Sequence, residues 1–403
     1  MSAEALITIV GIGADGWPGL TERARAAIVS ADEVIGSDRQ LASLPGDAPP
    51  RRAWPSPITP LIDELVTRES GAICVLASGD PMLHGIGATL ARRIPRGRLT
   101  VISHASALAL GCARLGWPEA EVELISAVGR PRDVVARMLQ PGRHLVVYST
   151  GENGPAEIAR VLCDRGYGPS AFVVMEQLGA GGESVIESTA DTFGDRPVDP
   201  LHAIAITCAR APTTTLLPLV PGLPDEAYDH DGALTKRHVR AATLAALAPT
   251  PNALLWDIGA GTGSIAIEWL RAEATARAIA VEPRAERAER ITRNAEQLGV
   301  PALEVMVGTA PEVLAGLDRP DAVFIGGGVT TMGVVATSWA ALPAGGRIVA
   351  NAVTLEGEQA LIAARAAYGG NLVRLDVSHA EPIGSFTAWR PALPVVQWST
   401  EKR

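Results

Sequence analysis

The sequence predicts an α/β protein of two domains, the second a Rossmann-like, doubly wound parallel sheet. Three observations carry that prediction. Short apolar runs alternate with amphipathic helical runs along most of the chain, the pattern of sheets covered by helices. Two glycine-rich loops, VGIGADGWPG over 10–19 and DIGAGTGS over 257–264, each follow such a run. Between them the stretch 211–232, APTTTLLPLVPGLPDEAYDHDG, is proline-rich and barely periodic, so it reads as a linker. The domains are therefore placed at 1–210 and 233–403.

In the first domain ALITIVGIG reads as a strand, and LTERARAAIVSADEVIG as a helix followed by a strand. AICVLASGDP is a strand meeting a loop, and MLHGIGATLARRI a helix, with Asp80 a candidate cap for a start near Pro81. LTVISHASALALGCARLG runs strand into helix, HLVVYSTG opens a strand, and PAEIARVLCDRG is a helix. FVVMEQLG and HAIAITC close the domain as strands, and YSTGENGP, near the middle, is the expected division between two lobes.

The second domain begins with the helical LTKRHVRAATLAALA. ALLWDIG, ARAIAVEP, ALEVMVG, DAVFIGGG and GRIVANAV read as strands, with SIAIEWLRAEA, RAERAERITRNAEQLG and PEVLAGL as helices between them. In the longest of these, Ala288, Ile291, Ala295 and Leu298 recur at spacings of three and four. Glu286–Arg290 and Glu289–Arg293 pair four apart in the favourable order, and Gly299 fits the stop.

Composition narrows the function. The chain has 403 residues, 47% hydrophobic and 20% charged, as in an ordinary globular protein. A formal net charge of −9 argues against a nucleic-acid partner, which usually needs a basic face. Cys74, Cys112, Cys163 and Cys208 show no CxxC or other short pairing, so neither a disulfide framework nor a metal site is expected. No membrane-spanning helix is expected, and the N-terminus lacks the basic flank and cleavage site of a signal peptide. A cytoplasmic protein is expected.

A strand ending in Asp257, then GxGxG, then a helix suits a dinucleotide or S-adenosylmethionine. A dinucleotide fingerprint wants glycine or alanine where this chain has Ser264. S-adenosylmethionine needs room for its tail and adenosine: Gly259, Gly261, Thr262 and Gly263 would give it backbone. Glu282, ending the next strand, would accept from ribose hydroxyls, and Gly308, Thr309 and Ala310 would lie by the adenine. A tight strand–helix turn with no ligand is the alternative. Glycines 326–328 would let a bulky planar substrate approach, and so would a plain loop. Thr235, Lys236 and Arg237 precede or begin the first helix of the domain, where Thr235 would contact the ligand and the cations would hold carboxylates; a capping threonine and solvated charges are the bland reading. In the first domain His84, His104, Ser78 and Ser106 form a triad only by assumption.

Those residues also carry a resemblance. VGIGADGWPGLTERARAAIVSADEVIGSDR, LASGDPMLHGIG and FVVMEQLGAGGESVIEST resemble the tetrapyrrole methylases of cobalamin biosynthesis, although the common G-P-G-D of the opening loop is here Gly13-Ala14-Asp15-Gly16. GALTKRHVR, DIGAGTGS, AVEP, GTAPEVL and FIGGG resemble, in order, the decarboxylating precorrin methylases. The resemblance implies a two-lobed tetrapyrrole methylase fold, then a class I methyltransferase fold. It implies two S-adenosylmethionine sites, one per domain, with no metal, the first drawing on Gly11, Gly13, Gly79, Asp80, Pro81 and Ser106. It further implies a precorrin substrate methylated at carbons 5 and 15, the first by domain 1–210. The second methylation, with loss of carbon dioxide from the ring C acetate, falls to 233–403. Catalytic residues stay unassigned, with Lys236, Arg237 and His104 as candidates. A homo-oligomer is expected, with neither nucleic acid nor membrane as partner. A fusion of methylase and NAD-linked dehydrogenase, a methyltransferase acting on another macrocycle, and a non-enzymatic donor-binding module are the competing readings.

Overall fold

The computed structural model of the chain describes residues 6–403. Ala5, where the first predicted strand begins, and the rest of the expected leader-free N-terminus lie outside them. Two units divide the described chain. One extends to Arg130 and resumes over Pro141–Pro212; the other combines Pro131–Gln140 with Thr213–Arg403.

The first unit holds two five-stranded sheets. Strands β1 (Leu6–Ile12), β2 (Glu33–Gly36), β3 (Arg51–Ala53), β4 (Ala72–Ser78) and β5 (Leu99–Ile102) form a parallel sheet in the order β3-β2-β4-β1-β5. β1 is covered on both faces, which is why its sequence is apolar at almost every position. Ile7 and Ile9 enter one core layer with Val75 and Leu90; Val10 and Ile12 enter the other with Ile28 and Val34. Thr21 caps the helix Glu22–Val29 by accepting from the Ala24 amide at 3.2 Å.

β6 (Val122–Ser126), β7 (His144–Tyr148), β8 (Ala171–Glu176), β9 (Ser184–Thr189) and β10 (His202–Thr207) form the second sheet, ordered β6-β7-β10-β8-β9 and parallel only between β6 and β7. The break between the sheets falls between β5 and β6, where the helix Ala107–Leu115 lies, and not at 148–155 as the sequence suggests. There the GENG stretch, with Gly151 at φ +82°, is a local turn from β7 into the helix Gly154–Asp164.

The second unit holds a seven-stranded sheet. Its strands are β11 (Leu254–Ile258), β12 (Arg277–Glu282), β13 (Glu304–Val307), β14 (Ala322–Ile325), β15 (Arg347–Ala352), β16 (Asn371–Leu375) and β19 (Val395–Glu401). They are ordered β13-β12-β11-β14-β15-β19-β16, with β19 antiparallel to both neighbours and the other pairs parallel. The chain reverses its direction of winding between β11 and β14, and ligands of open α/β sheets bind outside the strand ends at such a point. β17 (Ser378–Ile383) and β18 (Phe386–Pro391) make a separate antiparallel hairpin.

Two expectations need correction here. The stretch 211–232 is not linker throughout: Leu223 and Tyr228 are buried in the core of the second unit. PEVLAGL forms only a 3-10 turn over Glu312–Gly316.

Candidate functional site

At the switch point the chain turns three times on left-handed glycines: Gly259, Gly261 and Gly263 have φ of +69°, +61° and +75°. A Cβ on Gly259 would stand 2.7 Å from the Gly327 Cα and N, so the loop after β11 lies against the loop after β14. Glu282 ends β12 and is 2% exposed. Its carboxylate accepts from the Gly261 amide at 2.9 Å and the Arg284 amide at 3.2 Å. It is thus no solvated strand end. Asp257 lies behind the glycine loop, where its Oδ2 accepts from the Ala266 amide at 3.0 Å and pins β11 to the first turn of Ser264–Ala272. Burial pushes the Asp257 carboxyl up to about 7, against the pull of that amide and helped by the charge of Glu282.

These loops open on a cavity of about 920 Å³. Of the residues anticipated from sequence, Thr235, Lys236, Gly259, Gly261, Glu282, Gly308, Thr309 and Ala310 stand in its wall. Arg237, Thr262 and Gly263 do not. Arg237 is exposed, and its amide donates to Asp225 at 3.0 Å. Thr262 is buried, and its carbonyl accepts from Asn294 Nδ2 at 3.1 Å. A Cβ on Gly263 would meet Ile291 Cγ2 at 2.7 Å, so that glycine serves helix packing rather than ligand approach. The wall also contains His238, which the sequence places at the start of the same helix as Arg237 without a role, and Arg284, Asn351 and His379, which sequence reasoning missed. Nothing in the local pattern marks the last two, because they come from a strand end and a hairpin at the far end of the chain.

A buried ionic knot holds the segment that enters the cavity wall at Gly232. Glu268, on the helix after the glycine loop, accepts from the amides of Gly222 at 2.6 Å and Leu223 at 3.0 Å, and from the Tyr228 hydroxyl at 2.8 Å. Arg240, fully buried, donates to Glu268 at 2.5 Å and to Asp225 at 3.1 Å, with its guanidinium 4.9 Å from the Tyr228 ring centroid. Burial and the Glu268 charge hold the Tyr228 hydroxyl well above its ordinary range. One signal was available in sequence: a glutamate amid the apolar SIAIEWL must find partners once buried.

In the first unit the loops after β1, β4 and β5 converge. A Cβ on Gly11 would run into the Gly79 carbonyl oxygen and stand 2.7 Å from the His104 amide. Gly13 faces Asp15 Oδ1 and His104 Cε1, at 2.5 and 2.8 Å from its Cβ position. His104 Nε2 lies 3.7 Å from Asp15 Oδ1, an oxygen that is buried and has no hydrogen bond. Ser106 caps Ala107–Leu115 by accepting from the Ala109 amide at 3.0 Å. Gly11, Gly13, Gly79, His104 and Ser106 are thereby gathered at one end of the parallel sheet.

Asp80 does not cap a helix starting at Pro81. It accepts from the Met82 amide at 2.7 Å in a local turn, and the helix spans only Ile86–Ala91. His84 at φ +55° interrupts it, since a right-handed helix cannot accommodate that angle. The Pro81 carbonyl instead seats Gly85 and Gly87, whose Cβ positions would lie 2.7 and 2.6 Å from its oxygen.

Among the described residues no cluster of three or more His, Cys, Asp or Glu could hold a metal ion, and no helix is long and apolar enough to cross a membrane. The four cysteines are free thiols, three of them buried and Cys163 exposed.

Known proteins match both units. The profile of the Tetrapyrrole (Corrin/Porphyrin) Methylases matches residues 6–194, and that of the Precorrin methyltransferase domain matches residues 226–402. A precorrin-6Y C(5,15)-methyltransferase [decarboxylating] of Sinorhizobium sp is 45% identical over 98% of this chain and 96% of its own. Two shorter relatives each cover less than half of this chain. One is a cobalt-precorrin-7 C(5)-methyltransferase of Salmonella typhimurium, 33% identical over 45% of this chain and 89% of its own. The other is a probable cobalt-precorrin-6B C(15)-methyltransferase (decarboxylating) of Pyrobaculum calidifontis, 34% identical over 43% and 93%. With one relative aligned along almost its whole length and both units matched, the chain belongs to the family of decarboxylating precorrin-6Y C(5,15)-methyltransferases.

Proposed function

We propose that the chain methylates precorrin-6Y at carbons 5 and 15 from S-adenosylmethionine and releases carbon dioxide from the ring C acetate. The first unit would act at carbon 5; the second would act at carbon 15 and decarboxylate. The observation that carries the reading is the convergence of Gly259, Gly261, Glu282 and Gly308–Ala310 on one large cavity at the switch point. The Glu282 carboxylate fits a ligand with paired hydroxyls, and the crowded glycine backbone fits one that lies against the chain. In the first unit Gly11, Gly13, Gly79, Asp80, Pro81 and Ser106 would hold the other donor.

S-adenosylmethionine, when bound, supplies a methyl already activated on a sulfonium. The protein's part is alignment, which supplies on the order of 7–11 kcal/mol in the best cases. Glu282 orients the donor; the knot at Glu268 fixes the 232–239 wall opposite; the glycines at 326–328 leave room for a flat acceptor. The meso carbon has enamine character, so no strong base is required for the bond to form. Loss of carbon dioxide from a neighbouring acetate pushes electrons into the ring and sharpens carbon 15 as nucleophile, which ties decarboxylation to the second unit.

A homo-oligomer is part of this reading, supported by the exposed Ile383, Phe386 and Trp389 of the hairpin. So is a cytoplasmic location, supported by the free thiols. To test the division of labour, the full chain and its Glu282→Ala variant are incubated with precorrin-6Y and the donor, and the products are weighed. Two methyls gained and one carbon dioxide lost is expected from the native chain. One methyl, at carbon 5, is expected from the variant; a variant that still gains two methyls would refute the assignment.

A further inference from the structure

The cavity wall carries two histidines that the mechanism above does not use. His238 stands in the first turn of Arg237–Leu247, and His379 on β17 at the base of the hairpin. Separated by most of the second unit in sequence, their rings meet with centroids 5.8 Å apart and planes inclined at 50°. Both line the cavity. Among the described residues neither ring makes a hydrogen bond. Their ring nitrogens are thus free to donate to something in the space they border.

The cations beside the two rings are already engaged by carboxylates, which leaves the rings as the open donors there. Lys236 precedes the helix and lines the same wall, with its Nζ 3.6 Å from Asp225. His379 lies opposite Arg390 in the hairpin register, and Arg390 pairs with Glu381 at 2.9 Å. First-turn amides of a helix add partial positive charge. Glu282, by contrast, belongs to the part of the wall made by the glycine loops.

We infer that His238 and His379 form a binding site for a carboxylate of the macrocyclic substrate, one that the reaction keeps. The inference rests on the proposed function and assigns these residues to the substrate side of that cavity. The chemistry says which carboxylate. When an acetate loses carbon dioxide, its C–C bond breaks, the electron pair passes into the ring and a neutral molecule leaves. Hydrogen-bond donors gripping that carboxylate would stabilise the starting charge and slow the step. Paired donors suit instead a peripheral carboxylate whose charge is the same before and after, and whose binding is equally strong in the ground state and transition state. His238 and His379 are therefore positioning residues.

The test uses the full-length chain with four variants: His238→Phe, His379→Phe, His238→Asn and His379→Asn. Phenylalanine keeps the ring contact and removes the donors; asparagine keeps a donor and removes the ring. Donor binding is measured by calorimetry, and decarboxylation is followed against precorrin-6Y concentration. Either phenylalanine variant should raise the half-saturating substrate concentration about tenfold or more, the loss of a hydrogen bond to a charged group. Maximal rate should stay within about twofold, because uniform binding is removed. Asparagine should recover part of the loss, and carbon-15 methylation should fall in step with decarboxylation. Phenylalanine variants that match the native chain while asparagine variants fail would overturn the inference, leaving a hinge packed by two rings. Loss of decarboxylation alone, with carbon-15 methylation intact, would overturn it too. A native chain that binds donor but leaves precorrin-6Y unchanged would refute the underlying reaction instead.

Discussion

The two glycine loops look alike in sequence but need glycine for different reasons. In the second unit Gly259, Gly261 and Gly263 all hold left-handed backbone that a Cβ would strain. In the first, Gly11 and Gly13 have no such angle; what excludes a side chain is the approach of Gly79, Asp15 and His104. Gly11 and Gly13 are selected by space; conformation selects Gly259, Gly261 and Gly263, with crowding added at Gly259 and Gly263, and it selects Gly16 of the first loop as well. The glycine spacing reports that something lies close to the backbone without saying which constraint operates.

The sharpest break should come from alanine at one glycine of each loop whose Cβ would meet backbone, Gly259 and Gly11. Gly259→Ala combines a strained φ with a 2.7 Å encounter with Gly327 backbone. It should weaken donor binding in the second unit by at least about 100-fold, near 3 kcal/mol. Gly11→Ala should do the same to the first alone. Titration calorimetry would then count one donor site in each variant against two in the native chain; two sites in either variant would contradict the steric argument.

The knot under the second loop is read in stability rather than in donor binding. Arg240→Ala leaves Glu268 charged and buried, an effect of about 3–5 kcal/mol. Scanning calorimetry should show the second unit melting earlier and the first unmoved.

Asp257 gives a difference the first loop cannot show. Its folded pKa, about 7, lies above the ordinary carboxyl value of 3.8. Between those values the unfolded chain has released the proton and the folded chain retains it, so stability falls as pH rises from about 4 to about 7 and levels off above. The full drop is up to about 4 kcal/mol at 1.36 kcal/mol per unit. Urea unfolding of Asp257→Asn should lack this component.

A milder effect belongs to Gly13, whose neighbours are side chains able to move. Gly13→Ala should cost about 1–2 kcal/mol, much of it recovered in an Asp15→Ala background by a double-mutant cycle; additive losses would mean that the His104 ring, not the Asp15 side chain, excludes the Cβ. Smallest of all, Arg390→Ala breaks an exposed pair with Glu381 and should shift stability by less than about 1 kcal/mol.

What sequence reveals follows from local constraint. Strands covered on both faces, such as β1 and β11, write themselves as apolar runs, and glycine marks where they end. Glu282 was legible because it terminates such a run. Asn351 and His379 were not, since their role depends on long-range packing. The hairpin is exposed on both faces and has no alternation to detect. Leu223 and Tyr228 sit among prolines that signal loop, and only the partner Glu268, 40 residues beyond the tyrosine, turns that loop into core.

That last feature fixes where the chain can be cut. A free-standing second half beginning at 225 would remove the Gly222 and Leu223 amides from Glu268 and a carbonyl from Arg240, leaving that buried pair short of hydrogen-bond partners. Beginning at 213 keeps the clasp closed. The apparent tether is therefore the first structural element of the half it precedes.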